Sequence, residues 1–299
     1  VVVIGGGTGL SVMLRGLKAK TYNLTAVVTV ADDGGSTGRI RQDLDIIAPG
    51  DLRNCLVALA DKEGLMEKLF AHRFGGSGNL TGHSFGNLFI AALIEVLGDV
   101  EEAMDATSKV LRVRGKVIPS SAEKIRLNAE MTDGRIVEGE SQIPHAHGKI
   151  KRVFTTPEHP KAIQSAVRAI QEADAIVLGP GSLYTSIMPN LCVPDIVQAV
   201  RTSKAPKIYI CNVMTQPGET DDYTVSDHVK AINRQAGGRV IDFVIANNGD
   251  VDPAVLQRYV ATGSHPVIID KKEVSQAGAT LILSDLINKE NSATHDTKK

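Results

Sequence analysis

Short runs of apolar, mostly β-branched residues alternate along the chain with longer segments in which apolar residues recur at helical spacing. The short runs are apolar at nearly every position, which is typical of strands covered on both faces by helices. Strands are predicted at 1–4, 26–30, 175–178, 207–211 and 241–246, and helices at 11–19, 51–61, 87–97, 100–111, 160–172, 195–202 and 225–235. This order predicts an α/β fold: a doubly wound, mostly parallel Rossmann-like sheet with helices on both faces.

The pattern changes to alternation of apolar and polar residues in the middle of the chain. Residues 125–140 alternate around an Asp-Gly turn at 132–135. Alternation on both sides of such a turn predicts a half-exposed antiparallel β-hairpin. We therefore expect a β-rich insertion at 116–154 within a single domain that spans 1–285, followed by a loose polar tail at 288–299.

Charge and hydropathy exclude two classes of partner. Thirty-three Lys and Arg oppose 34 Asp and Glu, which gives a formal net charge of -1. Nothing in this balance attracts the whole protein to nucleic acid, so no nucleic-acid partner is expected. No apolar stretch approaches the roughly 18 residues of a membrane span, and the first residues lack the charged start and cleavage site of a signal peptide. Membrane insertion is therefore not expected.

The cysteines favour a reducing compartment. Cys55, Cys192 and Cys211 lie far apart in apolar runs, which is typical of core residues and not of disulfides or metal pairs. A cytoplasmic protein is predicted. Because the chain starts on a strand without Met, a short leader is expected to precede it.

A glycine-rich turn joins the first predicted strand to the first predicted helix. Gly6, Gly7, Thr8 and Gly9 form it. Glycine lets the backbone approach an anion, and the N–H groups of a helix start then point at that anion. The spacing departs from the dinucleotide fingerprint because Leu10 replaces its third glycine, and no Lys-Ser/Thr pair completes a P-loop. The turn predicts a phosphate site.

The loop after the second strand carries acids and hydroxyls. Asp32 and Asp33 come first, and Ser36 and Thr37 follow two glycines. An acid here can accept hydrogen bonds from a ribose, as in NAD sites, whereas two acids beside a phosphate can hold Mg²⁺. The sequence leaves both interpretations open, and a solvated turn is the third.

The next helix start carries a cation. Pro49 and Gly50 precede Asp51, which predicts that Asp51 caps the helix. Arg53, with Asn54 beside it, offers a guanidinium fork that suits a phosphate. An exposed first-turn arginine is the alternative.

The motif at 82–86 has the G-x-S-x-G spacing of the nucleophile elbow of serine hydrolases. That elbow needs a strand immediately before it, and a glycine-rich loop stands at 75–81. A second loop-to-helix anion site with His83, Ser84 and Asn87 as donors is the favoured interpretation. The alternative is that Ser84 merely caps the helix.

Two later strands also end in polar loops. Since the carboxyl ends of parallel strands share one edge, these loops are expected to meet the earlier ones at a single crevice. The candidate residues there are Gly179, Gly181, Ser182, Asn212, Thr215 and Gln216.

The chain resembles the YvcK family, the bacterial gluconeogenesis factors, in six motifs at 5–11, 31–39, 49–54, 82–87, 178–186 and 212–220. The resemblance covers nearly the whole chain. It implies the fold of CofD, a 2-phospho-lactate transferase that uses a guanosine diphosphate donor and Mg²⁺. It also implies a pocket for nucleotide sugars of the UDP-N-acetylglucosamine type, and a role in cell shape and wall synthesis during growth on gluconeogenic carbon sources.

The resemblance extends to individual site residues. By analogy Asp33 and Asp51 fall where the transferase binds its metal, but Arg53 stands where CofD-like enzymes carry a second acid, which argues against catalysis. We expect a regulatory protein that binds a UDP-sugar, with Mg²⁺ as a further cofactor, regulatory or wall-synthesis proteins as partners, and a homo-oligomeric state. A Mg²⁺-dependent CofD-like transferase and an NAD-binding protein are the alternatives.

Overall fold

A parallel sheet of seven strands forms the centre of the computed structural model, which describes residues 1–61, 64–288 and 295–297. In chain order the strands are β1 (Val2–Gly5), β2 (Thr25–Val28), β3 (Lys116–Pro119), β4 (Arg126–Met131), β5 (Ile136–Glu138), β6 (Ile150–Thr156), β7 (Ile176–Leu178), β8 (Lys207–Ile210), β9 (Phe243–Asn247) and β10 (Thr280–Ser284). The large sheet has the order β10-β9-β8-β7-β1-β2-β3, with every pair parallel, and β5-β4-β6 form a small antiparallel sheet. The predicted fold class is confirmed.

Strands β1 and β2 are buried at every position because helices cover the sheet on both faces. Val3, Ile4 and Val27 have no exposed surface. The helices are α1 (Gly7–Leu17), α2 (Gly35–Leu44), α3 (Gly50–Leu59), α4 (Gly64–Ala71), α5 (Phe85–Leu97), α6 (Val100–Val110), α7 (Gln164–Gln171), α8 (Met188–Leu191), α9 (Pro194–Thr202), α10 (Val225–Gln235), α11 (Pro253–Ala261) and α12 (Lys271–Gln276). Each predicted helix overlaps one of these.

Hydrophobic periodicity misses α2, which occupies much of the segment that the sequence analysis treats as a polar loop. Its residues include only two large apolar side chains, of which Ile40 is buried and Leu44 is 37% exposed. A helix with so little apolar surface leaves no helical pattern in the sequence. The first turn of α2 carries Ser36 and Thr37 and turns their side chains inward, where both are buried.

The predicted hairpin is confirmed: β4 and β5 pair around the Asp-Gly turn, and β6 adds a third strand on the other side of β4. A 3₁₀ helix (Glu140–His145) connects β5 to β6. The start of the predicted insertion at 116–154 needs correction, since Lys116–Pro119 pairs in parallel with β2 as the edge strand of the large sheet. Val117 and Ile118 are both buried at consecutive positions, which places them in a two-sided sheet and not in a half-exposed hairpin.

Of the predicted tail at 288–299, residues 289–294 and 298–299 lie outside the described part of the chain. In the described part, His295 forms an isolated antiparallel β-bridge with Ile287, and its Nε2 lies 3.1 Å from the carbonyl oxygen of Cys211.

No helix within the described ranges has both the length and the hydropathy needed to cross a membrane.

Candidate functional site

A cavity of about 700 Å³ lies at the carboxyl edge of the parallel sheet. The loops that follow β1, β7 and β8 form its walls, as expected for strands whose ends share one edge. Nine residues singled out from the sequence line it: Gly6, Gly7, Thr8, Gly9, Gly181, Ser182, Asn212, Thr215 and Gln216. Gly179 does not line the cavity; its N–H donates to the carbonyl of Ile4 (2.9 Å) and joins β7 to β1 beneath the loops.

The first glycine turn packs backbone to backbone against the loop after β7. A Cβ on Gly9 would lie 2.8 Å from the carbonyl oxygen of Pro180 and 3.2 Å from the nitrogen of Gly181. Gly7 starts α1 with φ of +69°, a conformation that side-chain-bearing residues rarely adopt. The first N–H groups of α1 have no partners within the helix, so they are available at this edge to a ligand anion or a side-chain acceptor.

A chain of side-chain hydrogen bonds orients the polar wall opposite the turn. Asn212 Nδ2 donates to Gln216 Oε1 (3.0 Å), and Gln216 Nε2 donates to Ser182 Oγ (2.7 Å). The hydroxyl of Thr215 accepts the N–H of His265 (2.9 Å). Thr215 therefore holds the segment at His265 in place. Asn212 and Gln216 orient the hydroxyl of Ser182.

A second cluster forms around the hydroxyl of Ser36. Ser36 Oγ accepts hydrogen bonds from the N–H of Ser84 and from Asn87 Nδ2, each at 3.3 Å. It also lies 3.3 Å from His83 Nδ1. All four residues are buried. The structure thus brings polar residues of two predicted loops together around the hydroxyl of Ser36.

Ser84 precedes α5 at the N-cap position, but its side chain does not cap the helix. Its hydroxyl donates to the carbonyl of Phe70 (3.2 Å), and the residue has no exposed surface. A hydrolase nucleophile must be open to substrate, so this environment agrees with the rejection of a serine hydrolase.

Arg53 is buried between α3 and α5, with 9% of its surface exposed. Its Nη2 donates to Asn54 Oδ1 (2.6 Å), and its aliphatic carbons pack against Gly86 at the start of α5. Burial lowers the pKa of Arg53, and within the described ranges no carboxylate lies within 4 Å of its guanidinium. A buried cation without an ion-pair partner favours an anionic ligand over the exposed first-turn arginine that the sequence also allowed.

Asp51 lies in the first turn of α3 and does not cap it, since Pro49 occupies the N-cap position. Its carboxylate instead accepts the N–H of Gly7 and a hydrogen bond from Asn54. Burial, followed by the charge of Asp32, raises the pKa of Asp51 to about 7. Asp51 therefore joins the acidic loop to the first glycine turn.

Asp32 and Thr37 approach the backbone of Gly50 from the loop after β2. A Cβ on Gly50 would lie 2.8 Å from Asp32 Oδ2 and even closer to Thr37 Oγ1. The other carboxylate oxygen of Asp32 accepts the N–H of Gly34 (2.9 Å). Asp32 thus presents one carboxylate oxygen to the start of α3, next to Asp51.

Asp33, unlike Asp32, binds the backbone of the antiparallel insertion. Its two oxygens accept the N–H groups of Glu140 (3.1 Å) and Ser141 (2.9 Å) at the start of the 3₁₀ helix. This ties the 3₁₀ helix to the loop after β2, and Glu140 lines the cavity. Burial and the neighbouring carboxylates, first of all Asp32, raise the pKa of Glu140 to about 8.

Glu219, which lies within the motif at 212–220 but is not among the residues predicted for the site, also lines the cavity. The residue is 6% exposed, and its carboxylate accepts the hydroxyl of Thr185 (3.1 Å) and the N–H groups of Tyr184 and Thr185. Burial raises the pKa of Glu219 to about 7. No local pattern marks this residue, because its burial depends on the neighbouring loop after β7.

Replacing Glu219 by Gln should raise thermal stability at alkaline pH. In the unfolded chain Glu219 loses its proton near pH 4.5, but in the folded chain it holds the proton to about pH 7. Its contribution to the free energy of unfolding is therefore present below pH 4.5 and falls as pH rises to about 7, by ~3 kcal/mol. We expect Glu219→Gln to unfold on the order of 5 °C above the unsubstituted protein at pH 8 and close to it at pH 4.5, measured by calorimetry. Glu95→Gln on the exposed side of α5 is the control, and an equal effect of Glu219→Gln at both pH values would contradict the assignment.

The acidic side chains suit magnesium only in part. Within the described part of the chain no three His, Cys, Asp or Glu side chains are placed to enclose a metal ion. Protein-bound Mg²⁺ commonly takes one or two carboxylates and completes its shell with water and ligand phosphates. Asp51 and Asp32 can supply such a pair, whereas the oxygens of Asp33 already accept two N–H groups.

Comparison with known proteins places the chain in a family. The sequence model described as "2-phospho-L-lactate transferase CofD" matches residues 1–287. The gluconeogenesis factor of Bacillus subtilis is 50% identical over 300 residues, covering 100% of this chain and 95% of that protein. A Nostoc relative is 54% identical over 288 residues, 96% of this chain but 63% of its own length. The X-ray crystal structure of a Bacillus halodurans protein superposes with a TM-score of 0.97 at 49% identity, covering 99% of this chain and 96% of the other.

Proposed function

The chain belongs to the CofD family, with gluconeogenesis factors among its relatives, and on this premise we propose that it is a cytoplasmic regulatory protein that binds a nucleotide sugar of the UDP-N-acetylglucosamine type. The observation that carries the proposal is the meeting of two backbone turns, 6–9 and 180–182, at one cavity. The names of the relatives support a role during gluconeogenic growth. We include in the proposal an effect on cell shape and wall synthesis through protein partners.

The diphosphate of the ligand would lie between the two turns. The start of α1 offers N–H groups with the positive end of the helix dipole behind them, and Ser182 offers a hydroxyl that Gln216 orients. Each charge-assisted hydrogen bond to a phosphate contributes roughly 1.5–3 kcal/mol. A cavity of about 700 Å³ lies within the usual size of small-molecule sites.

The acids beside this position call for a cation. A diphosphate next to Asp51, Asp32 and Glu140 would meet carboxylates whose burial and mutual repulsion already raise the pKa of Asp51 and of Glu140. Magnesium bound to Asp51 and Asp32 would neutralise both the carboxylates and the phosphate oxygens. We therefore propose that Mg²⁺ accompanies the nucleotide and is held by Asp51 and Asp32, with Asp32 taking the role that the resemblance to CofD implies for Asp33.

A binding role without catalysis agrees with the charge near α3. Arg53 places a buried cation where the resemblance to CofD predicts a second acid, and a cation there favours anion binding over a second metal ligand. The transferase remains the second candidate because the matching family model carries its name. A CofD-like transferase would release a nucleotide product when donor and acceptor are mixed, and a binding protein would not.

Titration calorimetry with UDP-N-acetylglucosamine tests the proposal. We expect saturable binding in Mg²⁺ that weakens in EDTA, and weaker binding of GDP and NAD under the same conditions. Exclusive binding of NAD would favour the dinucleotide alternative. Failure of all these ligands to bind would refute the proposal, and nucleotide release in the presence of a phospho-acceptor would establish the enzyme instead.

Arg53→Ala should weaken UDP-N-acetylglucosamine binding about tenfold or more, because loss of a charge-assisted contact to phosphate costs roughly 1.5–3 kcal/mol. The variant must be shown to fold, since Arg53 also packs against Gly86. Arg53→Lys keeps the charge but loses the guanidinium fork, so its affinity should lie between those of the unsubstituted protein and Arg53→Ala. Unchanged affinity of a folded Arg53→Ala protein in calorimetry would remove Arg53 from the site.

A further inference from the structure

A second concave pocket, of about 320 Å³, opens between the antiparallel insertion and α10. It shares no lining residue with the cavity at the sheet edge. Its lining residues are Lys151, Arg152, Val153, Tyr184, Met188, Ala231, Arg234 and Gln235.

Basic side chains from two separate elements meet at this pocket. Lys151 and Arg152 on β6 both form ion pairs with Glu130, at 2.6 Å each. Arg234 lies in the last turn of α10, and within the described ranges no carboxylate lies within 4 Å of it. Among the described residues Glu130 thus pairs with two of the three lining cations and Arg234 has no ion-pair partner, so the pocket keeps an excess of positive charge.

The floor of the pocket is apolar. Val153, Met188 and Ala231 are buried there, and the ring of Tyr184 is buried with its hydroxyl 2.6 Å from that of Tyr223. Methionine adapts its shape to irregular partners and makes favourable contacts with aromatic rings. A cationic rim above such a floor is complementary to a small molecule that has an anionic group at one end and an apolar body at the other.

We propose that this pocket is a second ligand site for a small phosphate- or carboxylate-bearing molecule with an apolar body. The anion would lie between Arg234 and the pair of Lys151 and Arg152, and the body would lie against Met188 and Tyr184. The volume is less than half that of the cavity at the sheet edge, which favours a ligand smaller than a nucleotide sugar.

Phenyl phosphate is the probe, and the methyl groups of isotope-labelled methionine report where it binds in NMR titrations of the whole chain. We expect the Met188 resonance, assigned by its loss in Met188→Leu, to shift in a saturable way. Met214, which lines the cavity at the sheet edge, should shift little. Inorganic phosphate should bind more weakly, because it cannot use the apolar floor.

The matched variants are Arg234→Gln and Lys109→Gln, since each removes a base from the last turn of a helix. Arg234→Gln should weaken phenyl phosphate binding several-fold, and Lys109→Gln should leave it unchanged. A shift of Met214 before Met188, no saturable shift, or equal effects of the two variants would overturn the proposal. Because no nucleotide enters this experiment, its outcome is independent of the function proposed above.

Discussion

Gly9→Ala is expected to lower the affinity for UDP-N-acetylglucosamine about 100-fold or more. The added Cβ would lie 2.8 Å from the carbonyl oxygen and 3.0 Å from the carbonyl carbon of Pro180. Both atoms belong to the backbone and cannot rotate away as a side chain can. The turn and the loop after β7 would have to separate, and a diphosphate could then no longer reach both.

Calorimetric titration of the variant measures this loss, which corresponds to ~2.7 kcal/mol. Crowding of two backbones should also lower the free energy of unfolding by about 1–3 kcal/mol. Gly78→Ala is the matched control, because nothing lies within 4 Å of a Cβ at that glycine. If Gly9→Ala binds as tightly as Gly78→Ala, the two turns do not hold the ligand together.

Asp51→Asn should reduce the dependence of nucleotide-sugar binding on magnesium. The asparagine can still accept the N–H of Gly7, but it loses the charge that Mg²⁺ needs. In Mg²⁺ the variant should bind about tenfold or more weakly than the unsubstituted protein, ~1.4 kcal/mol. In EDTA it should bind more tightly, since one carboxylate that repels the diphosphate is gone.

Calorimetry in Mg²⁺ and in EDTA therefore separates a metal ligand from a structural residue, which would change both affinities in the same direction. Asp195→Asn is the control, because Asp195 also lies in the first turn of a helix but far along the chain in α9. It should bind the nucleotide sugar as the unsubstituted protein does under both conditions. If Asp51→Asn and the control bind the nucleotide sugar with the same affinity in Mg²⁺, Asp51 is excluded as a metal ligand.

Local patterns were sufficient to predict much of the candidate site. Runs such as 1–4 and 175–178 indicate two-sided strands, and parallel strands must end at one edge. The loops after β1, β7 and β8 therefore had to converge, and the structure brings nine of the selected residues to one cavity. Glycine clusters at those loops indicate close backbone approach, as the contact of Gly9 with Pro180 shows.

The sequence by itself thus determined the layered α/β architecture, the antiparallel hairpin and the sheet edge at which the polar loops meet, because hydrophobic period and glycine content are local properties. Only the tertiary structure decided what each acid does. Asp33 accepts N–H groups from residues 107 and 108 positions away, and Glu219 is buried by a different loop. The tertiary structure also decided that residues 116–119 join the large sheet, since this strand forms only by pairing with β2. Burial and long-range hydrogen bonds arise when distant segments meet, and no local pattern records them.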